Sequence, residues 1–121
     1  GSALTERWAP MRALMRGIAG RRLFFVDSLT SPRSVAADAA AEAGVPWAQR
    51  TLFLDHDPRP AAIKRQWAEA LRCAEKALCV VIAHPHPETL AFLRRTLAEA
   101  PLVAITEALH PGAYALASHA R

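Results

Sequence analysis

The stretch that most constrains this chain is the unbroken apolar run 77–83 together with its polar sequel, His84-Pro85-His86-Pro87-Glu88-Thr89. A short apolar run of this kind reads as a strand buried on both faces of a sheet. Proline cannot continue a β-ladder, so the strand is predicted to end at His84. Pro87-Glu88-Thr89 then reads as a helix start, because proline suits the first helical position and glutamate the positive end of the helix dipole. Two histidines thus stand where a strand hands over to a helix. In α/β sheets that edge, the carboxyl end of the strands, is where ligands bind.

The rest of the chain alternates in the same way. Residues 4–18 read as a helix, with Thr5 as N-cap and Trp8, Met11, Leu14, Met15 and Ile18 at helical spacing. Residues 23–26 read as a strand closed by Asp27-Ser28. Residues 33–43 read as an alanine-rich helix, capped by Ser31 and stopped by Gly44. A strand over 51–54 ends at Asp55, a helix fills 61–76, a further helix 89–98, and a last strand 102–105 ends at Thr106-Glu107. This order, αβαβαβαβ, implies an α/β fold with parallel strands joined by crossover helices. Residues 110–121 are small and weakly patterned, and are expected to form a weakly ordered tail.

Composition narrows the classes. A chain of 121 residues, 52% hydrophobic, can bury the core of one small domain. The net charge of +4 comes from arginines spread along the chain rather than bunched, which argues against a nucleic-acid partner. No run approaches transmembrane length and no signal-peptide pattern is present, so no membrane span is expected. Cys73 falls in a predicted helix and Cys79 in a predicted strand, without CxxC spacing, and both are expected to be buried free thiols.

Parallel strands would gather their ends along one rim: Asp27 and Ser28, Asp55, His84, and Thr106 with Glu107. Carboxylates beside imidazoles suit general acid–base work or metal ligation. His84-Pro85-His86 alone is weak evidence for zinc, which needs three or four ligands. Each member also has a purely structural use. Asp27 and Asp55 can cap turns, Glu88 can cap its helix, and Arg33 can pair with a carboxylate. No GxSxG, P-loop or GxGxxG pattern occurs.

Three blocks, Phe24-Phe25-Val26-Asp27-Ser28-Leu29-Thr30-Ser31-Pro32-Arg33-Ser34, Phe53-Leu54-Asp55, and Ala83-His84-Pro85-His86-Pro87-Glu88-Thr89-Leu90, resemble the divergent polysaccharide deacetylase family. The resemblance implies that residues 1–109 are the C-terminal half of a deacetylase-like, distorted (β/α) barrel. Gly1-Ser2 would be either the end of a family block or a cloning scar. It implies metal-assisted hydrolysis of an acetyl group from a cell-envelope polysaccharide, with a divalent metal, zinc first among them, and a periplasmic or envelope location. His84 matches the family's late strand-end histidine, as the catalytic acid or a metal contact. Asp27 is the second catalytic candidate, orienting a catalytic group or the sugar. Ser28, Arg33, Asp55, His86 and Glu88 would line the substrate cleft. The remaining donors belong to the other half, so this piece alone is expected to be inactive, and to pair with that half or with a second copy. The sequence departs from the family pattern at Leu29 (arginine expected), His56 (asparagine) and Ala83 (glycine). These departures motivate an alternative: a catalytically silent relative that binds carbohydrate or a protein partner.

Overall fold

The computed structural model describes residues 2–111. The described residues form two compact units, 2–49 with 109–111, and Arg50–Ala108. Their elements run α1 (Ser2–Thr5), α2 (Trp8–Ile18), β1 (Phe25–Asp27), α3 (Ala36–Ala43), β2 (Trp47–Gln49), β3 (Leu52–Phe53), α4 (Pro60–Ala74), β4 (Val81–Ile82) and α5 (Pro87–Thr96), with 3-10 turns at Leu97–Glu99 and Ile105–Ala108.

In the first unit, α2 buries Met11 and Met15, one turn apart on one face, against Ala36, Ala39 and Ala40 of α3. Alanine has no bulk beyond Cβ, so α3 can sit close while the long, adaptable methionines fill the space between. Gly44 ends α3 in the left-handed region at φ 76°, where a side chain would be strained. Val45 then turns into β2, which pairs parallel with β1 in the register Phe25↔Trp47, Val26↔Ala48, Asp27↔Gln49. His110 adds an antiparallel bridge to Trp47, and their rings stack with centroids 4.3 Å apart.

In the second unit, β3 and β4 pair parallel, Leu52↔Val81 and Phe53↔Ile82. Helix α4 starts with Pro60 at its first position and buries Ala62, Ile63 and Ala70. Trp67 of α4 meets Phe92 of α5 edge-on, centroids 5.8 Å apart. Gln66 donates to the Phe53 carbonyl at 2.9 Å, tying α4 to β3.

Several local expectations are corrected. The single helix over 4–18 is two helices, because Arg7 is extended and serves as the N-cap of α2. Pro10 then sits in the first turn of α2, where a missing N–H costs nothing. Thr5 does not cap; its hydroxyl donates to the Ser2 carbonyl at 2.8 Å. Residues 47–49, which fall between the predicted helix 33–43 and the predicted strand 51–54, form a strand. Of the run 77–83 only Val81–Ile82 is strand; Leu78 is 56% exposed. Residues 102–105 form no strand: Leu102 and Val103 are exposed, and Ile105 opens a 3-10 turn. A β-strand exists only where a partner satisfies its backbone, and apolar content cannot report that partner.

The cysteines are not free thiols. Cys73 and Cys79 form a disulfide, with Cα atoms 6.2 Å apart. The expectation assumed a continuous strand and a continuous helix, which would separate them. Instead the chain folds back after α4, with the Lys76 and Ala77 N–H groups both donating to the Cys73 carbonyl at 3.0 Å. The expected tail of 110–121 lies outside the described residues from 112 onward.

Candidate functional site

Both units present a buried carboxylate at a strand end, and each spends it differently. In the second unit the chain leaves β3 through Leu54 into Asp55, which is 2% exposed. Three donors converge on this carboxylate from the segment after β4. The His84 backbone N–H reaches Oδ2 at 2.7 Å, the Thr89 hydroxyl reaches the same oxygen at 2.7 Å, and Nδ1 of His84 lies 2.8 Å from Oδ1. Burial pushes the Asp55 carboxyl up, but the bonds from the His84 ring, the Thr89 hydroxyl and the His84 N–H outweigh it and hold it below the usual carboxylate range. Asp55 is therefore ionised at neutral pH. An ionised carboxylate only accepts, so Nδ1 of His84 carries the proton. In the neutral ring Nε2 then holds the free lone pair, on a side chain that is half-exposed.

The local sequence explains the geometry. Prolines at 85 and 87 stiffen the turn between β4 and α5, and Pro87 opens α5. This brings Thr89, fully buried in the first turn of α5, back under Asp55. His86 is the N-cap of α5, and its ring centroid is 5.7 Å from that of His84. Phe53 lies beside them, 5.7 Å from His84 and 6.5 Å from His56, with the Arg50 guanidinium 4.1 Å over its ring. Glu88 is exposed on the first turn of α5.

One ligand atom each from Asp55, His84 and His86 can be chosen so that all three lie within 4.8 Å of one another. Two imidazoles and a carboxylate make a donor set that suits a borderline divalent ion, in the three-ligand pattern of catalytic sites. The set fits a metal, and the carboxylate behind His84 is the kind of group that orients a ligating imidazole.

In the first unit Asp27 is 4% exposed, and its oxygens organise the loop that follows β1. Oδ1 accepts the Leu29 N–H at 2.9 Å and Oδ2 accepts the Ser34 hydroxyl at 2.6 Å. Leu29 is held at φ 51°, a left-handed conformation uncommon for a leucine. Ser31, expected as a cap, donates to Glu6 at 2.6 Å, and Arg33 binds both Glu6 oxygens at 3.1 and 3.2 Å. Arg33 is largely exposed and Ser28 half-buried.

The structure thus brings Asp55, His84 and His86 together in one unit, and Asp27, Ser28 and Arg33 onto one loop in the other. Thr89 is the member that reading the sequence missed. No local signal marks it, because its bond is to a carboxylate thirty-four residues earlier in the chain.

The fold and the strand-end groups define an α/β protein with carboxylates and imidazoles at the ends of short parallel strands. The model of the divergent polysaccharide deacetylase family matches residues 1–107, and the chain belongs to that family. Its mixed α/β architecture, with short parallel strands alternating with helices, is a partial form of that fold. An uncharacterized protein of Haemophilus influenzae is 38% identical over 102 residues, covering 84% of this chain and 36% of the relative. The uncharacterized protein YibQ of Escherichia coli is 31% identical over 102 residues, covering 84% of this chain and 32% of the relative. The chain spans about a third of the length of these curated relatives. Among the described residues no helix is long and apolar enough to cross a membrane.

Proposed function

We propose that the chain is the C-terminal part of a carbohydrate deacetylase domain that hydrolyses an acetyl group from a cell-envelope polysaccharide, in the periplasm or at the envelope. The observation that carries this reading is the dyad of buried Asp55 and half-exposed His84, set in a family of deacetylases.

The roles follow from proton positions. Asp55 holds Nδ1–H of His84, so Nε2 faces the reacting atoms and moves the proton there. The protonated ring delivers a proton to the departing amine or hydroxyl, and the adjacent carboxylate stabilises the imidazolium that precedes that transfer. Asp55 is out of reach of a sugar, so its expected place in the cleft becomes a positioning role. His86, whose ring lies beside that of His84, and Glu88, exposed on the first turn of α5, contact the glycan. Asp27 keeps the loop of Ser28 and Arg33 in shape, and within the first unit those two residues offer a hydroxyl and a guanidinium to a glycan. In the other use of His84, as a metal contact in place of the proton carrier, a zinc ion would be held by its Nε2 and by His86 with Asp55 orienting the ring, and would supply Lewis-acid polarisation of the acetyl carbonyl.

Part of the domain lies in sequence beyond this chain. In the second unit, a cavity of about 320 Å³ is lined by apolar side chains such as Trp67, Val80, Leu93 and Leu102, with Leu102 and Val103 exposed. Such a surface supports completion by the rest of the barrel, or by a second copy.

The test is His84→Ala in the protein at its natural length, with acetate release measured from acetylated chitooligosaccharides and peptidoglycan fragments. Release should fall at least a hundredfold. Unchanged release would overturn the role of His84. An absence of release by the unmodified protein, together with retained glycan binding, would favour the silent, binding relative.

A further inference from the structure

The Cys73–Cys79 disulfide has no part in the proposed chemistry. Cys73 is in the last turn of α4, and Cys79 stands just before β4. Cys73 is half-buried and Cys79 exposed. Their Cα separation of 6.2 Å is within the range that a disulfide spans without moving the backbone.

The stretch between them is poorly secured by other means. After the turn at Cys73, Ala77 and Leu78 are exposed. The first interstrand bonds come at Val80, whose N–H reaches the Thr51 hydroxyl at 3.0 Å and whose carbonyl accepts the Thr51 N–H at 2.7 Å. Strand β4 is two residues long and, among the described residues, ladders with β3 alone. The next residues out of this strand are Ala83 and His84. The covalent bond therefore stands on the lead-in of a two-residue strand, upstream of the histidine loop.

We propose that Cys73 and Cys79 are a thiol-oxidation site, closed during folding by a thiol–disulfide oxidase, and that the bond clamps the lead-in of β4 to the end of α4. The chemistry is disulfide exchange. One cysteine thiolate attacks the disulfide of the oxidase, forming a mixed disulfide and releasing one oxidase thiolate. The second cysteine thiolate displaces the other oxidase sulfur. The pair loses two electrons and two protons, the oxidase leaves as its dithiol, and the Cys73–Cys79 bond remains. Such a bond persists in an oxidising compartment and is reduced in the cytosol, so on the envelope location proposed above, on which this timing rests, the clamp closes after export.

The experiment uses the protein at its natural length, made once with export into the periplasm and once retained in the cytosol. Denatured samples are alkylated with iodoacetamide, with and without prior reduction, and peptides containing Cys73 and Cys79 are weighed. In the exported sample both peptides should resist alkylation until a reductant is added; in the cytosolic sample both should be alkylated at once. The thermal midpoint of the exported protein should fall by roughly 5 °C on reduction, and by a similar amount in the Cys73→Ser/Cys79→Ser variant. Alkylation of both cysteines in the exported protein without reductant overturns the site. An unchanged midpoint on reduction overturns the clamp. If the double variant does not accumulate, the oxidised and reduced natural protein decide the matter alone. None of these readouts depends on deacetylation.

Discussion

Asp55→Asn separates the charge of this residue from its shape. Asparagine keeps one carbonyl oxygen. Placed where Oδ2 now stands, it still accepts the His84 N–H and the Thr89 hydroxyl, both at 2.7 Å in the native protein. The amide NH2 then occupies the position of Oδ1, 2.8 Å from Nδ1 of His84. An amide nitrogen donates and cannot accept, so the imidazole must present a bare Nδ1 and move its proton to Nε2. The fold survives, but the histidine is turned to the wrong tautomer, as in the triad aspartate-to-asparagine change that serves as the general precedent. One bond from a ring N–H to a charged acceptor is exchanged for a neutral one, and the two remaining bonds lose their charge. Bonds to charged groups are worth more than neutral ones, so the loss is about 2 kcal/mol in all. The assay is 15N-histidine NMR of His84 alongside thermal melting: native Nδ1–H, variant Nε2–H, and a midpoint lower by several degrees. Acid melting adds a sign. The carboxyl of Asp55 is held below its ordinary range in the folded protein, so its contribution is full above the unfolded value and disappears as pH falls through the depressed folded one. The variant should lack that part of the acid limb. Persistence of the Nδ1–H tautomer in Asp55→Asn would refute the reasoning, as would an acid limb identical to that of the native protein.

Two further outcomes concern the first unit. Met15→Ala removes a fully buried side chain packed on the alanines of α3 and should cost about 2–4 kcal/mol by denaturant unfolding. Gly17 lies within α2 with open space where a Cβ would stand, so Gly17→Ala should stabilise by about 0.5–1 kcal/mol, whereas Gly44→Ala, at φ 76°, should destabilise by about 1 kcal/mol; paired melting curves with shifts of the same sign would contradict this.

Much of the site was readable in one dimension. An apolar run that breaks into His-Pro-His-Pro announces a strand end with exposed imidazoles, and Pro87 announces α5, because proline and hydrophobic periodicity act locally. The position of Asp55 after a short apolar stretch was legible for the same reason. Its function was not. That Asp55 faces His84 rather than a ligand is a contact between residues twenty-nine apart, and no local rule specifies which donors a buried carboxylate collects. Thr89 was overlooked for the same reason, although its neighbours were named.

What the sequence determined by itself is the alternation of helices with short parallel strands and the residue types at the strand ends, but not the strand at 47–49 or the absence of one at 102–105. What only the tertiary structure decided is pairing: β1 with β2, Cys73 with Cys79, Asp27 with Ser34, and Asp55 with His84 and Thr89. Propensity and periodicity are properties of neighbouring residues along the chain. A ladder, a disulfide or a buried hydrogen bond becomes favourable only once folding has brought its two distant halves within bonding distance and removed the water that would otherwise satisfy them.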